Sequence, residues 1–175
     1  MDAAPPTSLN DRLREDHERT SALLAELELA EPDADPETPV TLVRLLEAHL
    51  RATEQVLYPE IATIAEEPLA IEQSRHEHET LREHLAVMQR VPRDTPEFAG
   101  AVAGLRLELG QHAEAEEQLA FRLAGTSSDE RQQEIFADYE TARASVLLGD
   151  PVVPLDDVSR PVVEGASETD REASR

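Results

Sequence analysis

The sequence predicts an all-α protein: an up-down-up-down four-helix bundle with an additional C-terminal helix and a disordered tail. Three observations predict it. Strand signals are nearly absent, and Ala, Leu, Glu, Arg and Gln, all good helix formers, dominate the chain. Apolar residues recur at helical spacing in five stretches. Short breaks carrying Pro or Gly separate those stretches. Long helices with short links argue for a bundle, and 175 residues suffice for one domain with a core.

The first helix is expected over about Leu9–Leu29, with Leu9, Leu13, Leu24 and Leu27 on its stripe and Ser8 or Asn10 as cap. "EPDADPETP" ends it. The second is expected over about Val40–Ala65, with Leu42, Leu45, Leu46, His49, Ala52, Thr53 and Val56 on one side. Pro59 should kink its last turns. The third covers about Pro68–Val91, because Pro68 suits a first helical position. Its stripe is Ile71, Ser74, His78, Leu81, Leu85 and Met88. The fourth covers about Phe98–Ala124, with Val102, Leu105, Leu109, His112, Glu116, Leu119 and Leu123 aligned. The fifth, about Ser128–Leu148, is expected to pack on as an addition, through Ile135, Phe136, Tyr139, Ala142 and Val146. Residues 1–148 therefore form the bundle domain. Residues 149–175, rich in Pro, Ser and acid with no helical period, form the tail.

Composition removes several classes of function. There is no Cys, so no disulfide, thiolate ligand or cysteine nucleophile. Formal net charge is −22, from 38 acidic against 16 basic residues, and no helix presents a basic face. A nucleic-acid partner is therefore not expected. Every basic residue is Arg, which fits either a GC-rich genome or a high-salt cytoplasm. No run of 18 apolar residues exists to span a membrane. "MDAAPPTSLNDRLRED" lacks the basic start and apolar run of a signal peptide, so a cytoplasmic location is expected.

The histidines carry the chemistry. Of six, His76 and His84 fall among charged or mixed positions and read as surface or rim residues. The other four, His17, His49, His78 and His112, stand one per helix, each in register with a Leu stripe. One histidine on an apolar face is ordinarily a core-edge residue with a hydrogen bond. Four need a shared reason, because every buried ring nitrogen must be satisfied. A metal ion supplies one. Glu116 follows His112 by four residues, about 40° away on the next turn, so the pair can serve one ion or bridge two. Thr53 holds the equivalent place after His49. Glu54 lies about 140° from His49 and should point to the bundle flank, reaching in only where the helix is locally distorted. A zinc-peptidase reading fails, since "HEHET" has Thr80 where His-Glu-x-x-His needs its last His.

The segments "LREDHERTSALL", "HLRATEQVLYP", "HEHETLREHL" and "HAEAEEQLAF", in that order over residues 9–124, resemble the haemerythrin-like (HHE cation-binding) family. The resemblance implies a four-helix bundle around non-haem iron, one or two ions. His17 and His49 would hold one, His78 and His112 the other, with Glu116 bridging. It also implies two departures. The family's second bridging Glu is replaced by Thr53, and a second His of its oxygen carriers is replaced by Ser74. The implied function is binding or sensing of a small ligand (oxygen, nitric oxide or peroxide). Peroxide-handling oxidoreductase activity is the enzymatic form it allows. The alternative is a metal-free bundle acting as a scaffold or partner-binding protein. Oligomeric state is left open.

Overall fold

A computed structural model describes residues 6–31, 36–64 and 68–149. The expected tail lies outside the described residues from residue 150 on. All regular structure among the described residues is helical: α1 (Leu9–Leu29), α2 (Glu37–Ala52), a π-helical turn (Thr53–Leu57), α3 (Tyr58–Ile64), α4 (Pro68–Arg90), α5 (Pro96–Thr126) and α6 (Asp129–Leu148).

The helix starts follow local chemistry. Ser8 accepts the Asp11 N–H at 3.2 Å and caps α1. α5 begins at Pro96, two residues before the expected Phe98, because Thr95 accepts the Phe98 N–H at 3.2 Å and Pro96 fits the first turn. Ser128 caps α6 by accepting from Arg131 N at 3.3 Å.

The expected second helix is one rod in three parts. Just before Pro59, where a kink was expected, the chain forms a π turn, with Tyr58 N–H bonded back to Thr53 O. Pro59 has no N–H to give and its ring crowds the carbonyl four residues earlier. Widening the preceding turn to an i→i+5 pattern accommodates it. This turn starts four residues after His49, so it re-aims whatever stands on it.

Two apolar clusters fill the bundle. One holds Leu24, Leu46, Leu81, Leu85 and Leu105; the other holds Leu13, Leu57, Ile61, Leu119 and Ile135. Along each helix the buried polar residues fall between them. On α1, His17 and Thr20 separate Leu13 from Leu24. On α4, Ser74 and His78 separate Ile71 from Leu81. On α5, His112 and Glu116 separate Leu109 from Leu119. The core is thus two dry layers with one polar layer between, and such a layer must be internally satisfied.

α6 is the expected additional helix, packed on the bundle. It buries Ile135 and Tyr139 against the bundle. Arg12 on α1 pairs with its Glu140 at 2.6 Å, and Arg143 grips the buried Asp16. Among the described residues, no helix is long and apolar enough to cross a membrane.

The −22 charge gives one expectation about stability. Self-repulsion acts over long screening lengths at low ionic strength. The melting temperature should therefore rise with salt up to about 1 M, where the Debye length is roughly 3 Å. A flat or falling melting temperature across that range would mean that repulsion does not limit this fold.

Candidate metal centre

The polar layer brings His17, His49, His78, His112 and Glu116 together, all of them buried. The rings form two close pairs: His17 with His49 and His78 with His112, each with centroids 4.7 Å apart. Rings from different pairs stand 5.9 to 6.4 Å apart where they face each other. Glu116 lies between the pairs. Its Oε2 is 3.3 Å from His17 Nε2 and 3.1 Å from His49 Nε2. Its Oε1 is 3.5 Å from His112 Nε2 and 3.8 Å from His78 Nε2.

The inner nitrogens converge because the outer ones are held. His17 Nδ1 lies 3.1 Å from Glu117, His78 Nδ1 2.9 Å from Glu54, and His112 Nδ1 3.2 Å from Glu77. His49 Nδ1 lies 3.0 Å from the Tyr139 hydroxyl. A ring whose outer nitrogen donates to a carboxylate presents a bare inner lone pair. This is the usual arrangement around histidines that ligate metals.

Glu54 stands on the π turn, the local distortion that was the expected condition for its reaching in, and it meets His78 Nδ1. Arg82 holds it there, with contacts of 2.7 and 3.2 Å to its two oxygens. Burial works against its charge, but the hydrogen bonds from His78 and Arg82 outweigh burial and bring its pKa down to about 2. Glu77 is likewise lowered, first by its hydrogen bond with His112.

Thr53 and Ser74, the two positions where a ligand was expected to be missing, are both buried. Each small hydroxyl accompanies a tyrosine. Thr53 Oγ1 donates to His49 O at 3.0 Å and lies against the Tyr139 hydroxyl. Ser74 stands beside the Tyr58 hydroxyl, which is 2.8 Å from His78 Nε2 and 3.3 Å from Glu116 Oε1. Burial, then the Glu116 charge, raises the Tyr58 pKa; burial, then Asp16 and Glu116, raises that of Tyr139. Both phenols therefore stay protonated. Sequence reasoning placed Tyr58 only in the "VLYP" signature and Tyr139 only on a packing stripe, and it overlooked Asp16, Glu77 and Glu117 as partners.

The layer is electrostatically coupled. Burial opposes the Glu116 charge, but the neighbouring imidazoles hold its pKa well below the usual carboxylate range. Burial lowers His49. Burial also presses on His112, yet Glu116 and Glu77 lift it to about 9.

Within this polar layer three buried atoms make no hydrogen bond: His17 Nε2, His49 Nε2 and Glu116 Oε2. They face one another across 3.1 to 3.3 Å. Two donors about 2.1 Å from one first-row ion, at a right angle, stand roughly 3 Å apart. The three orphaned atoms therefore fit a cation. With one nitrogen of His112 they make a four-donor group whose ligand atoms lie within 4.8 Å of one another. His76 and His84 take no part; the His84 ring instead rests on Gly104.

Comparisons with known proteins give the family and the fold. A family model described as "Hemerythrin HHE cation binding domain" matches residues 8–124. Among solved structures, the chain is similar to a haemerythrin HHE cation-binding domain-containing protein from Mycobacterium kansasii. The TM-score is 0.65 at 20% identity, covering 82% of this chain and 91% of that one. No curated protein matches the chain.

Proposed function

This chain belongs to the haemerythrin HHE cation-binding domain family, and we propose that its polar layer holds non-haem iron and binds or senses a small ligand: oxygen, nitric oxide or peroxide. The observation that carries the proposal is the set of three unpartnered buried atoms aimed at one point between the first two histidines and Glu116. A cation between these atoms would satisfy all three at once.

Imidazoles and a carboxylate together suit iron, which takes both donor types. His17 and His49 would hold one ion, His78 and His112 a second, and Glu116 would serve both. Bound iron would supply a redox-active centre able to take a small exogenous ligand. The chain's own residues do the rest. Glu117, Glu54 and Glu77 keep three outer nitrogens engaged. The Tyr58 hydroxyl stands beside His78 and Glu116, as a protonated donor on the side of the cluster where Ser74 replaces a histidine. Leu13 and Leu109 begin the apolar layers that keep bulk water from both faces.

The test is metal content. Protein loaded anaerobically with ferrous iron and desalted should retain iron. His112→Ala should lose most of it, and His84→Ala should keep it. Equal loss in the two variants would overturn the ligand assignment. A parent chain that takes up no iron would favour the metal-free scaffold.

A further inference from the structure

We infer that α6, which lies beyond the residues matched by the family model, positions the His17/His49 half of the site, with Tyr139 as the positioning residue for His49. The inference rests on the iron-binding reading above.

Three of the four outer ring nitrogens meet carboxylates carried by the core helices. His49 alone meets a fully buried tyrosine, ninety residues away in sequence, at 3.0 Å, with Asp16 Oδ2 standing farther off at 3.9 Å. Thr53 donates to His49 O and stands beside the Tyr139 hydroxyl. A Tyr139 oxygen that accepts from His49 Nδ1–H leaves His49 Nε2 as a bare lone pair, the form that ligates a metal. That atom is one of the three orphans facing the proposed ion. A tyrosine fixes ring orientation as a carboxylate would, without adding a charge to the interior.

The same helix reaches the other ring of the pair. One turn after Tyr139, Arg143 holds Asp16 through contacts of 2.7, 2.9 and 3.1 Å. Asp16 immediately precedes His17 on α1. α6 therefore fixes His49 directly and anchors the backbone that carries His17. The His78/His112 half is fixed instead by Glu54 and Glu77, on the second and third rods of the bundle. The site's two halves are held by different parts of the chain.

The test is ferrous iron affinity by chelator competition under anaerobic conditions, with cobalt(II) visible absorbance as a second readout of ligand geometry. Tyr139→Phe keeps the ring that packs and removes only the hydroxyl. It should bind iron about 10- to 100-fold more weakly than the parent, with altered cobalt bands and near-parent helicity. Ile135→Val trims the same apolar cluster on the same helix and has no polar atom to lose. It should leave affinity unchanged. If Tyr139→Phe stays within about threefold of the parent, or Ile135→Val loses as much as it does, α6 only packs and the inference is wrong. A parent chain that binds no iron would overturn the metal reading, and this inference with it.

Discussion

Exchanging Glu116 for glutamine should weaken metal binding by more than about a hundredfold. Changing a partner behind a ligand typically costs 10- to 100-fold. Glu116 is no such outer partner, since its two oxygens lie against all four inner nitrogens, and it is fully buried. Glutamine keeps the shape and removes the charge. The same exchange should change how the metal-free protein responds to pH. His112 titrates near 9 in the fold, against 6.5 for an unperturbed histidine. A raised pKa stabilises the fold fully below pH 6.5 and loses that contribution as pH rises through about 9. The melting temperature of the metal-free parent should therefore fall between pH 6.5 and 9. Metal competes with this proton, so affinity should rise across the same window. In Glu116→Gln the chief support for the His112 proton is gone, and both slopes should flatten. Isothermal titration with ferrous iron and thermal melts at pH 6.5, 7.5 and 9 read both effects. Affinity within tenfold of the parent would show that Glu116 is not a ligand.

Arg143→Ala should destabilise the protein by about 3 kcal/mol, the lower end of what breaking a buried ion pair costs. The loss is large because Asp16 is buried and its three short contacts all come from Arg143. The lower end is expected because Arg12 stands 4.0 Å away and keeps part of the compensation. Adding Asp16→Asn to Arg143→Ala should recover stability, since the stranded charge is then removed as well. Urea melts of the four proteins give the coupling directly. Strictly additive effects, or a single-variant loss below about 1 kcal/mol, would mean that the pair does not fasten α6 to α1.

Much of this molecule was legible before folding. The helical period of the Leu stripes is local, so it gave the rods, and the same period placed His17, His49, His78, His112 and Glu116 on inward faces. The irregularity before Pro59 was legible in position but not in form. A proline dictates that an N–H is missing; how the chain makes room depends on what the neighbouring helices press against. The form mattered, because Glu54 stands on the π turn and meets His78 from there. Angular reasoning from an ideal helix could not give that contact.

Sequence by itself determined the inner half of the site: which rings point inward and which carboxylate lies among them. Periodicity fixes the direction of a side chain relative to its own helix axis. Tertiary structure alone decided the outer half. Tyr139 meets His49, Arg143 meets Asp16, and Glu77 meets His112 only because helices remote in sequence pack at a particular height and rotation. Those offsets are set by the summed packing of two apolar layers, and no single segment encodes them. The same cause explains Thr53. In the sequence it is a missing ligand, whereas in the fold its small side chain lies where a tyrosine from α6 reaches the back of His49.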